Sequence, residues 1–191
     1  LLTVAALRAL GSESRIVAVA RYPHQNESAL RLGANEVIQD GRNLYESVCE
    51  ATGAEQLRPE LGKSVLVGGA EVVFDCVGNA RAIDDALRFT RARGKTILVG
   101  MPAIPSGVDW TSIWYKELQV VGSYTYGTEC WDGEKIRTFK LALRLMEGLK
   151  DGLASLVTHK FPLRDYRVAL EVAMHTGPNG SIKTAFDLSE G

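Results

Sequence analysis

The chain has 191 residues, 46% hydrophobic and 24% charged, with a formal net charge of −1. That balance describes a soluble globular chain with one core or one and a half, and it excludes nucleic acid and a membrane surface as main partners. No apolar run approaches the ~20 residues of a bilayer span, and Cys49, Cys76 and Cys130 are too scattered for a zinc set or a disulfide framework, which points to a reducing, cytoplasmic compartment.

Leu1–Leu10 reads as a helix, with Leu2, Ala5, Ala6 and Ala9 at helical spacing and Gly11 as its stop. It has no N-cap and no basic flank or cleavage site. The expectation is therefore a chain that starts inside an element, with the front of a longer protein missing, and not a signal peptide. Arg15–Ala20 follows as a strand, apolar at Ile16, Val17, Ala18 and Val19, as expected where a parallel strand is covered on both faces. Pro23 fits the first turn of the next helix, which ends near Leu32 and Gly33. Val37-Ile38 is a short strand. Asn43–Thr52 fits a helix with Leu44, Val48 and Ala51 on one side. Gly53–Gly69 reads as a loop with a short extended piece at Val65-Leu66-Val67.

Val72–Val77 (VVFDCV) reads as a buried strand ending at Gly78. Asn79 caps a helix to about Arg91 that buries Ile83, Ala86 and Leu87, and Gly94 closes it. Thr96–Val99 is the next strand, and Leu118–Gly122 the last of the alternation. Crossovers of this length suit parallel strands. The spacing then predicts one long helix over Glu134–Leu149, with Ile136, Phe139, Leu143, Met146 and Leu149 as a core stripe. Thr158–Phe161 is a strand, Asp165–His175 a helix, Gly177–Gly180 a turn, and Ile182–Leu188 an alternating strand. The expected division is a partial dinucleotide-binding domain, 1–126, followed by a return segment, 127–191.

Parallel sheets of this kind bind ligand beyond the carboxyl ends of their strands. The exits here are Ala20-Arg21, Val77-Gly78, Gly100-Met101 and Gly122-Ser123-Tyr124, and three of them carry glycine, which admits close approach to the backbone. The first exit has no acid to accept ribose hydroxyls. Arg21 can instead donate to a 2′-phosphate, which favours NADP over NAD; a solvated surface arginine is the competing reading. Cys76 reads as a small core residue and Asp75 as an acceptor of local hydrogen bonds. His24, His159 and His175 lack ligand spacing and read as surface or strand-edge residues.

The stretches Leu32–Ile38 (LGANEVI), Phe74–Gly78 (FDCVG), Gly94–Gly100 (GKTILVG), Glu117–Ser123 (ELQVVGS) and Val157–Leu163 (VTHKFPL) occur in one order. In that order the chain resembles the cofactor-binding and C-terminal part of the medium-chain dehydrogenase/reductase family, of the zinc-type alcohol, polyol and threonine dehydrogenases. The resemblance implies an α/β fold: a doubly wound, Rossmann-like parallel sheet, lacking its first strand and Gly-rich loop, plus the return segment of a catalytic domain. It implies hydride transfer between NAD(P) and a small alcohol or carbonyl compound, with zinc held by a missing N-terminal domain and no metal ligand or catalytic residue in this chain. Val77 and Gly78 would lie against the cofactor ribose, Gly100 and Met101 near the nicotinamide ribose, Ser123 and Tyr124 near the carboxamide, and Lys183 near the pyrophosphate. Leu118–Gly122 would be an edge strand that joins a second copy. A zinc-free quinone or enoyl reductase and a non-catalytic nucleotide-binding protein are the alternatives.

Overall fold

The structure, a computed structural model, describes residues 1–60 and 62–189. It forms two compact units, one of residues 1–41 with 127–191 and the other of residues 42–126. No helix among the described residues is long and apolar enough to cross a membrane.

The first unit opens with α1 (Leu2–Ala9), β1 (Val17–Ala20), α2 (Pro23–Arg31) and β2 (Glu36–Gln39). β1 and β2 pair in parallel, Val17 opposite Glu36 and Ala20 opposite Gln39. Gly11 and Gly33 follow the two helices with φ of +79° and +104°, the left-handed turn that glycine permits. The Arg8 guanidinium ties this segment together. It donates to the carbonyls of Gly33 (2.9 Å), Ser12 (2.5 Å) and Ser14 (2.9 Å) and to Asn35 Oδ1 (2.7 Å). Val4, Ala5, Ala29, Leu32, Ala34 and Leu156 form the buried core.

The second unit starts with α3 (Leu44–Thr52) and the antiparallel pair β3 (Glu55–Leu57) and β4 (Val65–Val67). The loop read over Gly53–Gly69 is thus a hairpin, because Leu66 has a fully buried site to fill; Leu61 lies outside the described residues. Then come β5 (Ala70–Asp75), α4 (Ala80–Phe89), β6 (Thr90–Leu98), α5 (Thr111–Tyr115) and β7 (Gln119–Gly122). The three strands form a parallel sheet in the order β5-β6-β7. Asn79 caps α4 as expected, its side chain accepting from the Ala82 N–H at 2.9 Å. Ile83, Leu87 and Leu118 are the buried core, with Leu98, Val108, Ile113 and Val120 packed on it.

Gly94 does not close α4. It lies inside β6, where a Cβ would meet Thr90 Cγ2 at 2.7 Å and the Arg91 carbonyl at 2.8 Å, so the residue is small because the strand folds tightly on itself. The expectation that the apolar strands are covered on both faces also fails. Val19 in β1 is 49% exposed and Val72 in β5 is 44% exposed. β1 pairs only with β2 and β5 only with β6 among the described residues, so each stands at the edge of a narrow sheet.

The chain returns to the first unit through the antiparallel pair β8 (Thr128–Trp131) and β9 (Glu134–Arg137), followed by α6 (Thr138–Met146), a 3₁₀ turn at Glu147–Leu149 and α7 (Lys150–Ala154). The single helix read over Glu134–Leu149 is therefore wrong at its start. Asp132 and Gly133 both adopt positive φ, +50° and +79°, the pair a two-residue hairpin turn requires. The Thr138 hydroxyl then fastens the hairpin to the helix, accepting from the Gly127 N–H (2.7 Å) and donating to Glu129 (2.6 Å). The apolar stripe divides accordingly. Ile136 is buried in β9, while Phe139, Leu143 and Met146 are exposed rather than core. β10 (Val157–Pro162), a 3₁₀ turn at Leu163–Asp165, α8 (Tyr166–Met174), α9 (Thr176–Asn179) and β11 (Lys183–Asp187) complete the chain. β10 pairs in parallel with β11, and the turn read at Gly177–Gly180 is mostly the short helix α9.

Candidate nucleotide-binding site

In the second unit the strand register places the carboxyl ends side by side. Asp75 stands opposite Leu98, and Leu98 opposite Gly122. Val77-Gly78, Gly100-Met101 and Ser123-Tyr124 therefore leave one edge of the sheet together. Backbone hydrogen bonds fix the exits. Val99 and Gly100 N–H both donate to the Asp75 carbonyl at 2.8 Å, and Ser123 N–H donates to the Leu98 carbonyl at 2.9 Å.

The buried Asp75 carboxylate shapes the first exit. It accepts from the N–H groups of Val77 (3.0 Å) and Gly78 (3.1 and 3.2 Å), the local role read from its position. Gly78 turns there with φ +80°, and a Cβ on it would lie 2.9 Å from Met101 N. A Cβ on Gly100 would lie only 2.4 Å from Gly78 N. The two backbones thus touch where side chains would keep them apart. Val77, Met101 and Tyr124 stand at this edge largely exposed, at 66%, 86% and 90%. Cys76 is exposed and not a core residue, because the chain turns outward directly after Asp75.

Ala20, Arg21 and Lys183 belong to the first unit. Ala20 is buried at the end of β1, and Arg21 and Lys183 are exposed. The polar backbone of this exit is satisfied by two glutamines that the sequence reading did not single out. Gln25 Oε1 accepts from the N–H groups of Arg21 (3.1 Å) and Tyr22 (3.2 Å). Gln39 Nε2 donates to the carbonyls of Ala20 (3.0 Å) and Arg21 (2.7 Å). The Arg21 guanidinium lies over the Tyr22 ring, 5.4 Å from its centroid, and pairs with no carboxylate among the described residues. Gln25, three residues into a helix after an extended residue, carried a local capping signal; Gln39 is reached only through strand pairing.

No group of three His, Cys, Asp or Glu among the described residues could hold a metal ion. His159 in β10 is half-buried and His175 exposed, whereas His24 lies in α2 with its Nε2 buried, not at the surface or a strand edge. A zinc ion thus finds no ligand set among these residues. At the carboxyl edge of the second unit, Gly78 and Gly100 leave no room for a Cβ, whereas Gly122 has open space around it.

A family model for zinc-binding dehydrogenases matches residues 1–146. An L-idonate 5-dehydrogenase of Vitis vinifera is 31% identical over 98% of this chain and 46% of its own length. A sorbitol dehydrogenase of Arabidopsis thaliana is 33% identical over 98% of this chain and 47% of its own. The chain spans about half the length of these curated relatives. Among solved structures, an L-idonate 5-dehydrogenase from Escherichia coli shares the fold with a TM-score of 0.69 at 22% identity, covering 96% of this chain and 45% of that one. A structure described as a short chain alcohol dehydrogenase from Escherichia coli, complexed with NADH, gives a TM-score of 0.65 at 17% identity, covering 95% of this chain and 47% of that one. The matched model covers most of the chain and the two relatives nearly all of it, so this chain belongs to the zinc-binding dehydrogenases of the medium-chain dehydrogenase/reductase family.

Proposed function

We propose that the protein is an NAD(P)-dependent dehydrogenase of small alcohols or polyols, and that this chain supplies its dinucleotide-binding part. The observation that carries the reading is the contact of Gly78 with Gly100 at the carboxyl edge of β5 and β6, the edge at which such sheets bind ligands. Val77, Gly78, Gly100 and Met101 would bind the cofactor's ribose and nicotinamide end, with Ser123 and Tyr124 beside the carboxamide. When bound, the nicotinamide supplies the hydride acceptor. The protein's part is to orient the ring and to exclude other approaches. Relatives named for L-idonate, sorbitol and L-threonine favour a small polar alcohol as substrate. Any zinc would be held by residues other than those described.

Arg21 favours NADP. A guanidinium already placed over a ring, with no carboxylate partner among the described residues, meets a 2′-phosphate at little cost in ordering. β7 is an edge strand, with Val121 half exposed, which favours a homo-oligomer joined there. Cys49, Cys76 and Cys130 form no disulfide among the described residues, which fits a reducing, cytoplasmic compartment.

The test is cofactor titration of the intact protein by fluorescence, beside Gly100→Ala. The substitution should abolish NADP and NAD binding, because the added methyl drives the two exits apart. Undiminished binding by Gly100→Ala would overturn the assignment of this edge. Cofactor binding without turnover of any alcohol would favour a non-catalytic protein on the same fold.

A further inference from the structure

The exit of β1 offers a ligand side chains rather than backbone. Its N–H groups at Arg21 and Tyr22 are taken by Gln25, and its carbonyls at Ala20 and Arg21 by Gln39. What remains is the Arg21 guanidinium, and its place depends on the Tyr22 ring beneath it. The guanidinium N–H groups donate no hydrogen bond among the described residues, and these are the groups that grip a phosphate in a fork.

The Tyr22 ring is itself seated by two groups. The His24 ring stacks on it, centroids 5.6 Å apart and planes 9° from parallel. His24 Nε2 is buried with no hydrogen-bond partner among the described residues, so the stack is the contact that the structure shows between the imidazole and Tyr22. The second group is Gly177, in α9. A Cβ on Gly177 would lie 2.6 Å from Tyr22 Cε1, 3.0 Å from Cζ and 3.2 Å from Cδ1. Gly177 is not among the glycines with positive φ. Its φ would admit a side chain, but it precedes Pro178 inside α9, where a Cβ is disfavoured in its own right, so the glycine answers both to the proline and to the tyrosine ring that fills the space.

We propose that Tyr22, seated by Gly177 and His24, is a positioning residue that holds Arg21 for a ribose 2′-phosphate, so that Gly177 is a determinant of cofactor choice despite its distance in sequence. The proposal rests on the reading of Arg21 given above. It predicts that shifting the ring, with Arg21 left in place, changes the preference between the two cofactors and not nicotinamide binding in general.

The experiment measures dissociation constants for NADP and NAD in the intact protein and in Arg21→Ala, Tyr22→Leu, Tyr22→Phe and Gly177→Ala. Tyr22→Leu should weaken NADP about two- to fivefold, the range expected from an exposed cation–π contact, with NAD unchanged. Tyr22→Phe keeps the ring and should behave as the parent. Gly177→Ala should shift the NADP:NAD ratio as Tyr22→Leu does. Combined with Tyr22→Leu it should add nothing, because the smaller side chain makes room for the methyl. A selective NADP loss in Arg21→Ala with unchanged ratios in Tyr22→Leu and Gly177→Ala would overturn the positioning role alone. Equal losses of both cofactors in Arg21→Ala would overturn the phosphate reading beneath it.

Discussion

Lys116 sets a pH dependence of stability that can be worked through in advance. The residue is only 4% exposed, and its ammonium donates to the carbonyls of Arg88 (2.6 Å) and Thr90 (2.9 Å). Burial, with the Arg88 charge adding to it, pushes its pKa down from the usual 10.5 to about 8. Below the lowered value the amine is charged whether the chain is folded or not, and the full cost of burying that charge is present. Between the two values the folded protein has released its proton while the unfolded chain still holds one. Stability therefore rises with pH across this window, and above it the cost has vanished. The neutral amine keeps two N–H groups, enough for both carbonyls. Linkage gives a gain of about 2 kcal/mol on going from about pH 7.5 to about pH 9.5. The measurement is urea unfolding followed by tryptophan fluorescence at both pH values, for the parent and for Lys116→Met. The variant removes the titrating group while leaving the two carbonyls unbonded. The stability difference, parent minus variant, should widen in the parent's favour by that amount as pH rises. A difference that stays flat or narrows would refute the claim that a charged amine is buried here.

Two further outcomes follow from the second unit. The buried Asp84 meets Lys63, Arg88 Nε at 3.4 Å and the Asp109 N–H at 3.1 Å. Arg88 also donates to Asp109 Oδ2 (2.7 Å) and the Ser64 carbonyl (2.8 Å). Asp84→Ala strands part of the Arg88 charge in the interior, so it should cost about 3 kcal/mol, on the order of 10 °C in Tm by calorimetry; a shift below about 2 °C would show that those two partners hold Arg88 unaided. Val121→Lys places a charge on the free edge of β7 and should convert an oligomer to a smaller species in light scattering; a parent protein that is already monomeric at micromolar concentration would remove the edge-pairing proposal.

Much of the local structure was legible because its signals are local. Asn79 before an apolar helix, Pro23 at a helix start, and Gly11 and Gly33 after helix ends each act within one turn, and each stands where the sequence places it. Glu134–Leu149 misled because a helical stripe is blind to a two-residue turn. Asp132-Gly133 was the available signal, and it outweighs the periodicity of Ile136. Cys76 misled because an apolar run does not say where a strand ends.

The sequence by itself determined the α/β alternation, the family and the residues at the strand exits, since hydrophobic period, turn chemistry and motif order are properties of neighbours along the chain. Only the tertiary structure decided how those exits are arranged. The register that aligns Asp75, Leu98 and Gly122, the contact of Gly78 with Gly100, the seat of Tyr22 on Gly177 and the burial of Lys116 all join residues far apart in sequence. Such contacts depend on where whole elements pack, and side-chain volume and backbone hydrogen bonding settle that only once the chain has folded.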